Sequence, residues 1–133
     1  MKKLAYLALI YIASLQSSSC DIIRGAMNNP QNTTYRCVPM TQGEFGTYHS
    51  RVAGKTFAND RLDAAKQGAT QGGCLTANQI GQITSLIDFE FDRVKYAKHA
   101  YPLCADPKNY GIINNYLDHE SSKRELNQLT GVN

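Results

Sequence analysis

The chain has 133 residues, of which 42% are hydrophobic and 19% are charged, and its formal net charge is +3. This is enough chain for one domain of modest size with its own hydrophobic core. Charges of both signs are scattered along it, so the sequence offers no concentrated basic surface of the kind that binds nucleic acid or an anionic membrane.

The N-terminus has the layout of a secretory signal peptide. Met1-Lys2-Lys3 is a short basic start, residues 4–13 are apolar or aromatic, and a polar run leads to Ser19 and Cys20. The apolar stretch is too short to span a bilayer, and small residues precede the expected cleavage site. We therefore predict an exported protein, periplasmic or secreted, with residues 1–19 as its signal peptide. The alternative is an N-terminal helix buried in the fold.

Cys20 is a candidate site of lipid attachment. Ser19 is the small residue that a lipoprotein signal requires before the cysteine, whereas Ser17 stands where a larger aliphatic residue is usual. Cleavage without lipidation would leave an even set of four cysteines, suited to two disulfides: Cys20, Cys37, Cys74 and Cys104. Both a soluble protein and a membrane-anchored lipoprotein remain open on this reasoning. No later apolar stretch is long enough to cross a membrane.

Residues 20–39 are predicted to form an extended tether, because residues 27–34 are polar and show no helical period. Residues 40–133 are predicted to form a helical domain. Thr41 and Glu44 have the spacing of a capping box at the start of a first helix, and Gly54 is suited to end it.

The remaining helices are predicted from caps and apolar spacing. The second follows Thr56 with Phe57, Leu62, Ala65 and Ala69 on one face; the third is capped by Thr76 with Gln79; the fourth is capped by Asp88 and carries Phe89, Val94, Ala97 and Tyr101. Pro102 should stop or bend the fourth helix. Asp106-Pro107 starts a fifth, and Ser121 opens a short last one. Since nothing alternates with a period of two, we predict an all-α bundle of five to six helices.

The second and fourth helices share a repeated motif. Residues 57–66 and 89–98 both read F-x-x-D-R-(L/V)-x-x-A-K, at an offset of 32 residues. After a loop that is two residues shorter, Cys74 aligns with Cys104 and Thr76 aligns with Asp106. This pattern indicates two tandem helical hairpins, each burying an apolar stripe against the other.

Two groups of side chains within the repeat are candidates for binding. The Asp60-Arg61 and Asp92-Arg93 pairs form either a ligand-binding charge array or, as we favour, a dipole-compensating acid beside an arginine that lies along the apolar stripe with its charged head in water. Since the chain has no tryptophan, its tyrosines and phenylalanines must fill the core between the hairpins, and we assign Tyr101, Tyr110 and Tyr116 there. Phe91 and Tyr96 lie off the apolar stripe and are predicted to be exposed, partner-binding aromatics.

No catalytic, metal-binding or cofactor-binding residue is predicted. His49, His99 and His119 have no metal-ligand spacing to one another. A zinc site of His99 with Cys74 and Cys104 is disfavoured, because structural zinc needs four ligands and an exported protein oxidises its thiols. The sequence shows no nucleophile–histidine–acid order and no glycine-rich phosphate loop.

The residues of the two hairpins resemble those of a known family. The first half contributes Phe57, Arg61-Leu62, Ala65-Lys66, Thr76, Gln79-Ile80, Ile83 and Leu86, and the second contributes Phe89-Glu90, Arg93, Ala97-Lys98, Ala100-Tyr101, Asp106 and Asn109-Tyr110. This pattern resembles the bacterial family known as domain of unknown function 4476, over about residues 40–130. The resemblance implies an all-helical domain in an exported protein, often behind a signal peptide or lipobox, and implies no activity. The chain departs from the pattern at Val94, at Pro102 and in having cysteines at 74 and 104.

The repeat also leads to a disulfide prediction. Cys74 and Cys104 each lie two residues before a predicted helix N-cap, so stacked hairpins would bring them to one end of the domain, and we predict that they are bonded. Cys20 and Cys37 would then pair unless Cys20 carries lipid. The alternatives are a Cys37–Cys104 bond and buried free thiols.

Taken together, these features predict a non-catalytic protein–protein interaction module. Its partner is expected to be another envelope or secreted protein, not nucleic acid, and it would touch the membrane only through a lipid on Cys20. Two alternatives are kept: a small inhibitor or immunity-type binder of another secreted protein, and an enzyme or metal protein that uses His99 with nearby carboxylates.

Overall fold

The computed structural model describes residues 35–132, and within this range the chain is helical. The α-helices are α1 (Gln42–Ala53), α2 (Ala58–Gly72), α3 (Ala77–Ser85), α4 (Glu90–Ala100) and α5 (Glu120–Thr130), with a 3₁₀ turn at Tyr101–Leu103 and a 3₁₀ helix at Pro107–Tyr116. Extended pairing within the described range amounts to one isolated parallel bridge, between Leu75 and Cys104. The predicted all-α fold is confirmed. None of the helices in this range is long and apolar enough to cross a membrane.

The predicted signal peptide, Cys20 and the tether as far as residue 34 lie outside the described residues. Residues 35–41 are the last part of the connection to α1, and we call them the strap. The strap is mostly exposed at its start and becomes half-buried at Met40.

Two helices begin at complete capping boxes, as predicted. The Thr41 hydroxyl accepts from the backbone N–H of Glu44, whose carboxylate accepts from the N–H of Thr41 in return; Thr76 and Gln79 repeat the arrangement at α3. Each box satisfies two backbone donors that the helix itself leaves unpaired. The predicted stop before Pro102 is also confirmed, since α4 ends at Ala100 and Pro102 lies in the 3₁₀ turn.

Three predicted helix starts are wrong. Helices α2 and α4 have Phe57 and Phe89 as their N-caps, with no side-chain cap bond, so Thr56 and Asp88 cap neither helix. The Asp88 carboxylate is bound by Arg61 instead. Helix α5 begins at Glu120, one residue before the predicted Ser121.

The helices run alternately up and down, so the hairpin α2–α3 stacks on the hairpin formed by α4 and the 3₁₀ helix. Helices α2 and α4 are parallel neighbours, joined near their N-termini by the Arg61–Asp88 ion pair and near their C-termini by a hydrogen bond between Thr70 and His99. This is the arrangement that the sequence repeat predicts.

The alternation gives the domain two ends with different chemistry. At the first, the cysteine end, the strap meets the turns at residues 73–76 and 101–106. At the second, the phenylalanine end, lie the loops 54–57, 86–89 and 117–119, and the side chains of Arg61, Arg93 and Glu90 join them. The strap therefore joins the rest of the domain at the cysteine end.

The core lies between the hairpins and is closed by α1 and α5. Its largest fully buried side chains are Tyr96, Tyr110, Leu75, Ile80, Ile83, Ile87, Ile113 and Leu126. Two glycines allow aromatic rings to lie directly on a helix backbone: a Cβ at Gly68 would stand 2.0 Å from the Tyr48 ring, and one at Gly81 would stand 2.3 Å from the Tyr116 ring. Of the tyrosines assigned to the core, Tyr110 is fully buried, while Tyr101 and Tyr116 are partly exposed.

The predicted Cys74–Cys104 disulfide is wrong. Cys74 is bonded to Cys37, with their Cα atoms 6.2 Å apart, and Cys104 is a buried free thiol. The two turns do lean together as expected, since Leu75 donates to the Leu103 carbonyl at 3.1 Å and Ala105 donates to the Leu75 carbonyl at 2.7 Å. In extended backbone, successive side chains point to opposite sides. Because Leu75 is the residue paired with Cys104, the neighbouring Cys74 side chain points away from Cys104.

The strap supplies the partner for Cys74 because it runs beside both turns. The backbone N–H of Arg36 donates to the Ala105 carbonyl at 2.8 Å, and that of Met40 donates to the Cys74 carbonyl at 2.9 Å. The Arg36 guanidinium adds bonds to the Cys104 carbonyl at 3.0 and 3.2 Å. The predicted Cys20–Cys37 bond is therefore excluded, because Cys37 is already paired.

Candidate binding surface

Three of the four phenylalanines in the chain are exposed. Phe57 is 70% exposed, Phe89 is 62% exposed and Phe91 is 70% exposed, whereas Phe45 is buried at 3%. All three exposed rings belong to the starts of the parallel neighbours α2 and α4, so they lie at the phenylalanine end of the domain. We call these three side chains the phenylalanine surface.

Phe57 and Phe89 occupy equivalent N-cap positions. Both have extended backbones, with φ and ψ of −99° and 144° at Phe57 and −101° and 136° at Phe89. The phenyl ring has no atom that can accept the hydrogen bond which an N-cap side chain normally provides. A good capping residue, Thr56 or Asp88, stands immediately before each phenylalanine and is not used as a cap. These two rings therefore contribute neither a cap nor core packing.

The loop that carries Phe89 is held by Arg61. Its Nη1 atom lies 2.7 and 2.8 Å from the two carboxylate oxygens of Asp88, and its Nη2 atom donates to the Lys55 carbonyl at 2.6 Å. A longer contact of 3.4 Å reaches the Leu86 carbonyl. One side chain thus joins the loop before α2 to the loop before α4.

Arg93 makes the same set of contacts one repeat later. It donates to the Ile87 carbonyl at 2.8 Å, to the Tyr116 carbonyl at 3.3 Å and to the Asp118 carboxylate at 3.1 Å. Ile87, Tyr116 and Asp118 occupy the positions in the second repeat that Lys55, Leu86 and Asp88, respectively, occupy in the first. The repeat seen in the sequence therefore extends to individual hydrogen bonds.

These contacts change the interpretation of the Asp-Arg pairs. The Arg61 and Arg93 side chains are only 19% and 20% exposed, so their charged heads do not point into water as the favoured interpretation expected. The two guanidinium groups bind loop carbonyls and the carboxylates of Asp88 and Asp118. Neither arginine is therefore free to bind a ligand together with Asp60 or Asp92.

The charges around the phenylalanine surface are largely paired with one another. Asp92 lies 3.5 Å from the ammonium of Lys95, which also stands 4.2 Å above the centre of the Phe91 ring. With the ion pairs of Arg61 and Arg93, this leaves Lys55 and Asp60, one charge of each sign, exposed beside Phe57, so the surface carries little excess charge of either sign.

The structure separates the two aromatic residues that were predicted to be exposed. Phe91 is exposed, but Tyr96 is fully buried, so its assignment to a surface patch is wrong. The Tyr48 hydroxyl donates to the Ala65 carbonyl, and the Tyr96 hydroxyl, 3.0 Å away, is left to donate to the Tyr48 oxygen. Burial raises the pKa of Tyr48 to about 12 and that of Tyr96 well above its usual value.

Among the described residues, no geometry supports the histidine-based alternatives. His99 is exposed and its Nε2 atom lies 2.9 Å from the Thr70 hydroxyl, with no carboxylate among its hydrogen-bond partners. The zinc hypothesis for His99, Cys74 and Cys104 is wrong because Cys74 is bonded to Cys37. Across residues 35–132, no group of three or more potential metal-ligating side chains comes together.

A groove of about 390 Å³ lies between α1 and α2. Gly68 and Gly72 form one wall, and Tyr48, Glu44 and Arg51 line the other. The Glu44 carboxylate is occupied by the capping box, and its hydrogen bonds with Thr41 lower its pKa. It therefore remains ionised and is poorly suited to donate a proton in acid–base catalysis.

The comparisons with known proteins identify a family and no function. The family described as "Domain of unknown function (DUF4476)" matches residues 39–130, which cover the five α-helices and the 3₁₀ helix. No curated protein and no solved structure showed significant similarity to the chain.

Proposed function

The chain belongs to the DUF4476 family, and we propose that it is an exported, non-catalytic module that binds another envelope or secreted protein through the phenylalanine surface. The observation that carries the proposal is the placement of exposed phenylalanines at the N-caps of both α2 and α4. Because these rings give the domain neither a cap nor core packing, we attribute them to contacts outside it.

The rigidity of the phenylalanine end supports this proposal. Binding costs least when the contact residues are already fixed, since less conformational entropy is lost on association. Arg61 and Arg93 fix the loops on both sides of the exposed rings through carbonyl and carboxylate contacts. Aromatic side chains are also enriched in protein–protein interfaces. An inhibitor or immunity-type role would use the same surface and would differ only in the partner.

Photocrosslinking in the producing cell tests the proposal. A benzophenone amino acid at position 91 should give an adduct with a second protein, whereas the same group at Asn78, exposed at the start of α3 near the cysteine end, should not. The adduct should disappear in the double variant F57S/F89S. Equal adducts at both positions, or an adduct that survives the double substitution, would show that this surface is not the binding site.

We further propose that the protein is exported and held at the membrane by lipid on Cys20. The basic start and apolar run of residues 1–13 support export. The argument for two disulfides had favoured an unmodified Cys20, but Cys37 and Cys74 now pair with each other. Cys104 is only 1% exposed and is not accessible for a further disulfide. Because the described cysteines offer no accessible partner for Cys20, the argument against lipidation no longer holds.

Mass spectrometry of the N-terminal peptide and membrane fractionation test the anchor. The wild-type peptide should begin at a Cys20 that carries lipid, and C20S should move the protein from the membrane to the soluble fraction. An unmodified Cys20 at the mature N-terminus would rule the lipid anchor out. A mature protein that still carries residues 1–19 would show that the predicted signal peptide is not cleaved.

A further inference from the structure

Phe57 and Phe89 form two equivalent contact points side by side. They start parallel neighbouring helices, and the Arg61–Asp88 ion pair joins the first turn of α2 to the residue immediately before Phe89. Packed neighbouring helices lie about 8–10 Å apart, so the two rings are expected to be separated by about that distance. A partner that contacts both rings must present apolar groups at a matching separation.

The three rings alone expose too little area for a stable interface between two copies of this chain. A phenylalanine contributes about 150–250 Å² when fully buried, so the three rings, at 62–70% exposure, leave roughly 400 Å² available. Stable protein–protein interfaces bury about 800 Å² on each partner. The surface is therefore suited to a short segment of another protein.

The paired charges restrict the chemistry of that segment. Arg61 and Arg93 are bound by Asp88 and Asp118, and Lys95 is occupied by Asp92 and the Phe91 ring. A charged side chain placed over Phe89 would lose its hydration without gaining an opposite charge, whereas beside Phe57 the exposed Lys55 and Asp60 offer one charge of each sign. The part of the partner that lies on the two rings should therefore be apolar, with any charge confined to its edge beside Phe57.

Resting on the proposed function, we propose that the partner presents an amphipathic helix whose apolar face lies across Phe57 and Phe89. Residues i and i+7 of an α-helix share one face and are about 10.5 Å apart along its axis, close to the expected separation of the two rings. An apolar residue at i+3 or i+4 would then lie between the rings, as in other helix-in-groove complexes. Phe91, shielded on one face by Lys95, would form the edge of the contact.

Selection of random 16-residue peptides displayed on phage against the purified domain, residues 20–133, provides the test. Enriched peptides should carry apolar residues at i, i+3 or i+4, and i+7, with no charge between them on that face. One enriched peptide, synthesised with a tryptophan, can be followed by fluorescence without background, since the chain has none. Its affinity should fall at least about tenfold in F57S/F89S and stay unchanged in L129S, which removes a 52% exposed leucine of α5.

Several results would overturn the helix proposal. They are enrichment of extended or charged peptides, no enrichment, or an affinity that F57S/F89S leaves unchanged. Phe-dependent binding to phosphatidylglycerol vesicles would replace the helix by a lipid surface, and Phe-dependent dimers in sedimentation at 100 μM would replace it by a second copy. If the helix proposal fails while the position-91 photo-adduct persists, the proposed protein-binding function stands and only the partner's chemistry is wrong. Circular dichroism checks that F57S/F89S remains folded.

Discussion

At the scale of single residues, the phenylalanines at positions 57 and 89 stand where helix N-caps favour Ser, Thr, Asp or Asn. Replacing each by serine should supply a cap that stabilises the protein by about 0.5–2 kcal/mol, while removing contacts of a ring that is mostly exposed. We expect F57S and F89S each to change the free energy of unfolding by less than about 1 kcal/mol, measured by urea denaturation.

The buried phenylalanine provides the control for these variants. Phe45 is 3% exposed and packs edge-on against the Tyr48 ring, with the two ring centres 6.3 Å apart. F45A should therefore cost about 3–5 kcal/mol. A loss of that size in F57S or F89S would mean that the exposed rings stabilise the fold, and the case for an external partner would be lost.

Gly68 leads to a second prediction at this scale. A Cβ there would stand 2.0 Å from Cε2 and 2.2 Å from Cδ2 of Tyr48, whose ring is buried and whose hydroxyl is bonded to both Ala65 and Tyr96. The ring cannot move aside without breaking those bonds, so G68A should lower the free energy of unfolding by about 1–3 kcal/mol. Thermal or urea denaturation measures the loss.

Gly46 gives a matched control, because it is also helical but a Cβ there meets nothing within 4 Å. G46A should raise stability by roughly 0.5–1 kcal/mol through helix propensity. Similar behaviour of G46A and G68A would contradict the proposed contact between the Tyr48 ring and the α2 backbone.

At the scale of whole elements, Glu90 links α4 to the start of α5. Its carboxylate accepts from the backbone N–H groups of Asp118 and His119, each 3.0 Å away. Burial raises the pKa of Glu90, but these hydrogen bonds from His119 and Asp118 outweigh it and the pKa lies below its usual 4.5. A lowered folded-state pKa gives stability that is complete above the unfolded value and is lost as the pH falls through the folded one.

The variant E90Q should therefore be less stable than wild type at pH 7, and the difference should narrow as the pH falls below about 4.5. Free energies of unfolding measured between pH 3 and pH 7 test this directly. A difference that stays constant with pH would mean that the ionised carboxylate is not what stabilises the α5 start.

Local signals predicted the elements well where the determining contacts are themselves local. The capping boxes of α1 and α3 lie within four residues, and Pro102 acts on its own helix. The 3₁₀ geometry of Pro107–Tyr116 was missed because periods of 3.0 and 3.6 are hard to separate over ten residues. Phe57 and Phe89 were assigned to apolar stripes because helical spacing was extended onto N-cap residues whose backbone is not helical.

Contacts that are distant in the sequence account for the other errors. Helix α4 packs against α2, α3 and α5, so the stripe read from its own spacing covers only part of its buried surface, and Tyr96 was placed outside. The phenylalanine surface did leave a signal: the same residue, preceded by a good but unused cap, occurs at equivalent positions of both repeats. The partner of Cys74 could be identified only from the path of the strap, which brings Cys37 to it.

At the scale of the whole molecule, the strap and the candidate binding surface lie at opposite ends of the described domain. The strap joins the cysteine end through Arg36 and Cys37, whereas the phenylalanine surface lies at the far ends of α2 and α4. A partner can therefore contact the phenylalanine surface without touching the strap.

The Cys37–Cys74 bond joins the strap to the turn that follows α2, and it leads to the last prediction. It closes a loop with a sequence separation of 37, which includes α1 and α2. The chain-entropy estimate for such a loop is about 3–4 kcal/mol, so reduction by dithiothreitol should lower the free energy of unfolding by that order. Non-reducing peptide mapping should recover Cys37 linked to Cys74. Cys104, whose burial raises its thiol pKa to about 12, should react with iodoacetamide only after denaturation. A Cys74–Cys104 peptide would contradict both the pairing and the parallel register that separates the two cysteines, and fast alkylation of Cys104 in the native protein would contradict the burial of its thiol.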